Sequence, residues 1–276
     1  MDNSIIKQKI DSFPRWHYQF DLNGILTPIA DKRRINRHEQ RKRYFFDPLL
    51  EICGGSLQGK RVLDLGCNAG FWSLNAIENE CDFVLGVDGR EMHVDQANFV
   101  FQCKSIDTRR YKFIQANIFD LKLMQPGKFD IVFLFGLMYH ISKPVELFEI
   151  ISQINTDILL IDTSLSHAPG SYLEIQHEPL DEPRNAVDYE LVMYPTKKAV
   201  LDLVEQFGYT GIVLRPCFTD YTASRDYEVG LRRAFLCVKD SSLTALSHRS
   251  EIINFRSQAV DFTRWTTRKL ANMVRR

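Results

Sequence analysis

Short apolar runs alternate with amphipathic segments through the middle of the chain. Runs with the length and composition of strands buried on both faces occur at 62–65, 83–87, 111–115, 129–135 and 158–161. Segments with helical spacing begin near Phe71, Arg90 and Pro144, between these runs. Because strand and helix alternate, the pattern predicts parallel βαβ units joined by right-handed crossovers. We therefore expect an α/β fold.

The turn after the first run has the composition of a ligand cradle. Gly66 and Gly70 allow a sharp turn and a close approach of the backbone to a ligand. Asn68, between them, tolerates a left-handed backbone better than most residues. The dinucleotide fingerprint G-x-G-x-x-G does not fit, because its second and third glycines would fall on Asn68 and Phe71.

Polar side chains mark the ends of three neighbouring predicted strands. Asp64 precedes the glycine turn, and a carboxylate there favours a cationic ligand over a pyrophosphate. Asp88 ends the second strand, where an acid is placed to accept both hydroxyls of a ribose. After the third strand, Asn117 is placed to hydrogen-bond an adenine edge and Ile118 to cover its face. Together these residues predict a cationic nucleoside ligand.

Extensions flank this core on both sides. Residues 1–54 contain two predicted helices, 5–10 and 37–52, and Pro48 predicts a break or restart of the second one at Asp47. An aromatic cluster lies between the helices and either packs on the core or forms a wall of the substrate pocket: Phe13, Trp16, His17, Tyr18 and Phe20. Residues 241–276 are interpreted as a basic helical tail that packs on the body or on a neighbouring subunit of a homo-oligomer.

Periodicity fades between residues 164 and 193, where three prolines and several acids occur. A long irregular segment in a compact domain is usually functional or mobile, so we interpret it as a lid over the acceptor site. Beyond it, Thr196 is expected to cap a helix that ends near Gly208. Two later strands, 211–214 and 234–238, are expected to pair antiparallel at one edge of the sheet.

Charge and composition narrow the class of protein. The apolar fraction of 45% fills a sizeable core, and the equal numbers of acidic and basic residues, 35 each, exclude a polyanion binder by net charge alone. Residues 31–43 and 249–276 each carry seven basic and two acidic side chains. Each segment is either a solvated helix face or a contact for an anionic partner such as RNA, a nucleotide-sugar or a lipid head group.

The six cysteines form no C-x-x-C pair, and no histidine spacing indicates zinc, so we predict no metal site. They are typical of reduced residues in a cytoplasmic protein. The N-terminus lacks the apolar core of a signal peptide, and no run approaches the ~18 apolar residues of a membrane span.

These motifs resemble the class I S-adenosylmethionine-dependent methyltransferases over residues 55–240. The resemblance is carried by the 62–70 turn, by Gly86-Val-Asp88, by Phe129-Asp-Ile-Val132 and by the C-terminal strand pair. It implies a Rossmann-like, doubly wound sheet of seven strands with an antiparallel last strand. It also implies that S-adenosylmethionine lies over the tips of the first three strands.

Within that resemblance each site residue has an expected role. Gly66 and Gly70 would line the methionine and ribose end, and Asn68 replaces the middle glycine of the family's loop. Asp64 would organise the ammonium side and Asp88 would hold the ribose. The adenine would contact Asn117 and Ile118.

A narrower similarity concerns the segment after the fourth strand. Gly136-Leu-Met-Tyr-His140 with Pro144, and Tyr194-Pro-Thr196 before a helix, resemble the branch that contains the tRNA wobble-uridine carboxymethyl-transferring enzymes. Relatives of this layout imply methylation of small metabolites or sugars. We therefore expect O-methylation of a small molecule or sugar, with tRNA wobble-uridine modification as the alternative. The tRNA alternative predicts a basic surface beside the pocket, formed by Arg33, Arg34, Arg37, Arg41 and Arg43.

Three residues on the ligand-binding rim are candidates for catalysis. His140 is proposed as the base or the acceptor-orienting group, and Tyr139 either packs on the cofactor or places its hydroxyl on the acceptor. Asp162, at the tip of the fifth strand, is a second candidate base or else a loop cap. A last alternative is a Rossmann-like binding protein without catalysis, against which the two acids and the open turn argue.

Overall fold

The computed structural model describes residues 1–251 of the chain. The α-helices are α1 (Asn3–Ser12), α2 (Arg33–Ile52), α3 (Phe71–Glu78), α4 (Glu91–Cys103), α5 (Leu121–Met124), α6 (Pro144–Ile154), α7 (Lys197–Gln206) and α8 (Arg225–Glu228). The strands are β1 (Asp21–Leu22), β2 (Ile25–Leu26), β3 (Arg61–Leu65), β4 (Phe83–Asp88), β5 (Tyr111–Gln115), β6 (Phe129–Phe135), β7 (Asn155–Ser164), β8 (Leu173–His177), β9 (Leu191–Pro195), β10 (Thr210–Val213) and β11 (Arg232–Val238). Most of the predicted tail helix lies outside the described residues.

Seven strands form one sheet in the order β10-β11-β7-β6-β3-β4-β5. Strands β3 to β7 run parallel to one another, while β11 is antiparallel to both β7 and β10. The predicted seven-stranded α/β sheet with an antiparallel last strand is therefore confirmed. The chain progresses in opposite directions on the two sides of the β3–β6 pair, and such a switch point opens a crevice at the carboxyl ends of the strands.

Two apolar layers cover the two faces of the sheet. On β3, Val62 belongs to the layer formed with α1 to α4, whereas Leu63 belongs to the layer formed with α6 and α7. Successive strand residues point to opposite faces, so this division is the doubly wound arrangement that the alternating pattern predicts. The N-terminal extension packs on the α3 and α4 side, where Tyr18 stacks on Phe71 with ring centroids 4.5 Å apart.

The predicted break at Asp47 is wrong, because α2 runs without interruption through Pro48. A proline inside a helix costs roughly 3 kcal/mol, mainly through a lost hydrogen bond and a steric clash. Burying one large apolar side chain contributes about 1.5–3 kcal/mol. Phe45, Phe46 and Leu49 are all buried on the sheet side of α2. Their packing therefore outweighs the cost of the proline.

The segment expected to be a long irregular loop contains an antiparallel hairpin. Leu173 pairs with Pro195 and His177 with Leu191, so the irregular parts of this segment are residues 165–172 and the link between β8 and β9. Most of these strand residues are partly or fully exposed, and Ile175 is 62% exposed. A strand with solvent on both faces has no clean apolar alternation, which explains why the pattern missed it. The predicted cap is confirmed, since Thr196 Oγ1 accepts from Ala199 N at 3.2 Å.

All six cysteines are free thiols. No helix within residues 1–251 is long and apolar enough to cross a bilayer.

A test of the sheet packing is Gly86→Ala. A Cβ added at Gly86 would lie 2.4 Å from the Phe113 ring and 3.0 Å from Cys67 Sγ. The ring cannot move away inside a close-packed layer, so we expect a loss of about 1–3 kcal/mol in the free energy of unfolding, measured by urea denaturation. Lys112→Ala, exposed on the adjacent strand β5, is the control and is expected to stay within about 0.5 kcal/mol. Equal stability of both variants would contradict the packing described.

Candidate active site

The crevice at the carboxyl ends of the strands holds a cavity of about 1050 Å³. Its first half, above β3, β4 and β5, is lined by Gly66, Asn68, Asp88, Asn117 and Ile118. Its second half, formed by α2, the end of β6, the hairpin and the start of β11, is lined by His17, Tyr18, Arg34, His38, Tyr139, His140, Glu178, Tyr194 and Arg232. The cavity therefore has room for a nucleoside and a second molecule side by side.

The loop after β3 adopts the left-handed backbone that its composition predicts. Gly66, Asn68 and Gly70 have φ of 72°, 49° and 76°. Gly66 lines the cavity, and its N–H donates to Val87 O at 2.8 Å. Gly70 lies away from the cavity lining, because a Cβ there would sit 3.1 Å from both Ala97 and the Phe113 ring. Its role in this structure is to let α3 start against α4 and β5.

The carboxylate of Asp88 is held on the cavity wall by three donors. Its Oδ2 accepts from Asn68 N at 2.9 Å, and its Oδ1 accepts from Arg90 N at 3.0 Å. His93 Nδ1 lies 3.0 Å from the same Oδ1. The side chain is thus fixed between the first and second loops, and it lines the part of the cavity where a ribose is expected.

Asp64 lies beneath the loop instead of facing the cavity beside Asp88. The residue is 1% exposed, and its Oδ2 accepts from Ser73 Oγ at 2.7 Å. Asp64 therefore does not line the cavity, and its role towards the ammonium group stays a prediction. Its Oδ1 has no hydrogen-bond partner among the described residues. A buried oxygen without a donor, under a glycine turn, fits a ligand that brings donors to that turn, as the ammonium group of S-adenosylmethionine does.

Asn117 and Ile118 line the cavity directly after β5. Asn117 Oδ1 caps the following turn by accepting from Phe119 N at 3.1 Å. Its Nδ2 donates to Asp188 Oδ2 at 3.1 Å, and Asp188 belongs to the link between β8 and β9. The Asn117 side chain therefore connects the predicted lid to the first half of the cavity. Its contact with adenine stays a prediction.

His140 is paired with a carboxylate that the sequence patterns did not reveal. Its Nδ1 lies 2.5 Å from Oε2 of Glu178, which enters from the link after β8. Tyr194 OH donates to the other Glu178 oxygen at 3.4 Å. Tyr139 lies against this pair, with its ring centroid 4.1 Å from that of His140, and its hydroxyl accepts from Arg232 Nη1 at 3.0 Å. The two candidate residues are therefore brought together, and both line the cavity.

The structure contradicts the prediction that Asp162 is a base. Asp162 is fully buried and accepts from Arg41 Nη2 at 2.7 Å, Arg232 Nε at 2.9 Å and Tyr227 OH at 2.5 Å. Burial opposes its ionisation, but Arg232 and Arg41 outweigh burial and lower the pKa to about 2. So acidic a group, saturated with donors, does not accept a proton at neutral pH. Its role is to hold the two arginines, which only long-range packing brings to it.

The sequence agrees with a known domain and with curated relatives. Residues 56–178 match a family model described as a methyltransferase domain. The chain is 26% identical over 200 residues to the ubiquinone biosynthesis O-methyltransferase of Neisseria meningitidis serogroup C, an alignment that covers 67% of this chain and 83% of the relative. It is also 26% identical over 164 residues to the tRNA U34 carboxymethyltransferase of Haemophilus influenzae strain PittGG, with coverage of 56% and 47%.

The fold agrees with solved structures. The N-terminal domain of EvdMO1, crystallised with S-adenosylhomocysteine and D-fucose, superposes with a TM-score of 0.67 at 19% identity and covers 88% of this chain and 98% of that chain. Magnesium protoporphyrin IX methyltransferase from Synechocystis, with bound S-adenosylmethionine, gives a TM-score of 0.56 at 16% identity, with coverage of 87% and 98%.

The sheet topology and the cavity at the switch point define a Rossmann-like methyltransferase fold. Together with the match of residues 56–178 to the methyltransferase domain model, they show that the chain contains a methyltransferase domain with the class I, S-adenosylmethionine-dependent fold. S-adenosylmethionine is its methyl donor.

Asp88→Asn tests the ribose assignment. The amide keeps the shape of the carboxylate but loses its charge and one acceptor oxygen, so we expect the Kd for S-adenosylhomocysteine to rise by about 10- to 100-fold. Isothermal titration calorimetry measures this change. Asp95→Asn, exposed on α4, is the control and should bind like the wild type. An unchanged Kd in Asp88→Asn would contradict the assignment of Asp88 to the ribose.

Asp64→Asn tests whether the pKa of the buried Asp64 carboxyl is raised. Burial raises the pKa of Asp64 to about 7, so the folded chain holds this proton more tightly than the unfolded chain. Stability due to this group therefore falls as pH rises from the unfolded pKa of ~4 to about 7. In cofactor-free protein, we expect the stability of Asp64→Asn relative to wild type to increase by about 2–3 kcal/mol between about pH 5 and about pH 8.

Urea denaturation at the two pH values measures this difference for Asp64→Asn. Comparison with the wild type removes the contribution of the other titrating groups. Asp95→Asn should show no pH-dependent difference, and a flat profile for Asp64→Asn would contradict the raised pKa.

Proposed function

We propose that this chain methylates an oxygen atom of a small molecule or sugar, with His140 as the base that takes the proton from the acceptor hydroxyl. The observation that carries this proposal is the His140–Glu178 pair in the second half of the cavity. A carboxylate can only accept, so Nδ1 is the donor in this hydrogen bond. In the neutral ring Nε2 is then the proton acceptor, and Glu178 stabilises the charge that develops when Nε2 is protonated.

The chemistry divides between donor and protein. When bound, S-adenosylmethionine would supply an activated methyl group for in-line transfer to the acceptor oxygen, with S-adenosylhomocysteine as the leaving group. The protein positions the two molecules and excludes water, and His140 Nε2 accepts the proton of the acceptor hydroxyl. Arg232 fixes the hydroxyl of Tyr139 next to this pair, so Tyr139 is placed to orient the acceptor.

The glycine and carboxylate residues of the first half of the cavity support the proposal that S-adenosylmethionine binds there. Gly66, Asn68, Asp88, Asn117 and Ile118 line that half, and Asp64 and Gly70 support its loop from below. An O-methyltransferase from Neisseria, aligned over most of its length, supports oxygen as the acceptor atom.

Modification of tRNA is the second candidate, favoured by the relatives named tRNA U34 carboxymethyltransferase. It predicts a continuous basic surface beside the pocket. Arg41 is instead buried against Asp162, and Arg37 is bound to Asp226 at 2.6 Å. Arg33 pairs with Asp31 at the surface. These pairings support a small acceptor over a polyanion.

The acceptor is found by mass spectrometry with a methyl-deuterated donor. The purified protein and the labelled donor are incubated with a metabolite extract in one reaction and with a tRNA pool in another. We expect a labelled small molecule in the extract. Label in tRNA alone would overturn the proposal in favour of the second candidate.

His140→Asn is expected to lower kcat by about 10²- to 10⁴-fold, since it removes the proton acceptor. The Kd for S-adenosylhomocysteine should be unchanged, because His140 lies on the acceptor side. Glu178→Gln should give a smaller loss of kcat with the same donor affinity. His177→Asn, exposed on β8, is the control. Turnover is measured with the acceptor identified by mass spectrometry, and a fully active His140→Asn would exclude His140 as the base.

A further inference from the structure

One face of α2 changes from polar to apolar along the helix. Arg34, His38 and Arg41 follow at spacings of four and three residues, so they share this face, and all three line the cavity. The same face continues with Phe45 and Leu49, which are fully buried on the sheet. A helix face that packs only on a core would be apolar throughout. The part of α2 from Arg34 to Arg41 therefore forms a wall of the second half of the cavity, where the acceptor is proposed to bind.

Arg34 differs from its neighbours Arg37 and Arg184 because its side chain forms no ion pair with a described residue. Arg37 binds Asp226 at 2.6 Å, and Arg184 binds Glu182 at 3.1 Å. The side chain of Arg34 has no ion pair or hydrogen bond among residues 1–251. Burial, followed by the positive charges of Arg184 and Arg37, lowers its pKa. A cation in this position is stabilised by an anion in the cavity.

His38 is a second polar group without a partner, one helical turn further along the same face. It is 3% exposed, and neither ring nitrogen has a hydrogen-bond partner among the described residues. Burial, followed by the charge of Arg41, holds the pKa of His38 well below its usual range, so the ring is neutral. A neutral imidazole offers one donor and one acceptor. Buried polar atoms are nearly always satisfied, so these two point to a polar molecule in the cavity.

We infer that the methyl acceptor is an anionic small molecule whose phosphate or carboxylate group binds the guanidinium of Arg34, with His38 hydrogen-bonded to a polar group of the same molecule. The planar fork of arginine matches both phosphate and carboxylate oxygens. An anion there also offsets the mutual repulsion of Arg34, Arg37 and Arg184. The inference names the substrate class of the proposed methylation and rests on it.

The test is isothermal titration calorimetry on the full chain saturated with S-adenosylhomocysteine, at low ionic strength. Inorganic pyrophosphate is the probe for a phosphate group and succinate the probe for a carboxylate group. We expect one of them to bind at a single site. Arg34→Gln should weaken that binding by about tenfold or more, as a charge-assisted hydrogen bond is lost.

Arg33→Gln is the matched control, because Arg33 is adjacent in sequence but its side chain is 67% exposed and paired with Asp31. Its effect should stay within about twofold. Failure of both probes to bind, or equal losses in the two variants, would overturn the inference. S-adenosylhomocysteine binding by Arg34→Gln shows that the variant is folded. A wild-type chain that binds S-adenosylhomocysteine but neither probe refutes only this inference, whereas a wild-type chain that does not bind S-adenosylhomocysteine refutes the proposed function.

Discussion

The buried ion cluster around Asp162 connects the parts of the molecule that form the acceptor half of the site. Asp162 lies near the end of β7, Arg41 comes from α2 and Arg232 begins β11. Losing one partner of a buried ion pair costs about 3–5 kcal/mol, because the other charge is left without compensation. The three elements are therefore held in one arrangement. Arg232 transmits that arrangement to Tyr139, and Arg41 places the polar face of α2 along the cavity.

The two halves of the cavity differ in chemistry because different kinds of structural element line the two sides of the switch point. On the nucleoside side, strand ends and tight loops supply backbone donors and the fixed carboxylate of Asp88. On the side proposed for the acceptor, side chains come from the N-terminal extension, the segment after β6, the hairpin link and β11. Two histidines there have opposite surroundings: His140 is polarised by Glu178, whereas His38 is neutral and unpartnered among the described residues. Our proposals therefore assign proton removal to His140 and substrate recognition to Arg34 and His38.

The sequence-based predictions succeeded where a feature depends on neighbouring residues. The strand over 129–135, the left-handed Asn68 and the Thr196 cap all follow from local spacing and local backbone preference. The break at Asp47 was wrong because packing of α2 on the sheet outweighs the local effect of Pro48. The β8–β9 hairpin was missed because its strands are too exposed to alternate cleanly.

The amino-acid sequence by itself determined the sheet class and the conformation of the loop after β3, because these depend on local patterns, and its motifs predicted S-adenosylmethionine as the methyl donor. Only the tertiary structure decided which acids face the cavity: Asp88 does, while Asp64 lies under the loop and Asp162 is enclosed by arginines. It also paired His140 with Glu178, which is 38 residues away. Such contacts depend on how separate elements pack, and no short stretch of sequence records that packing.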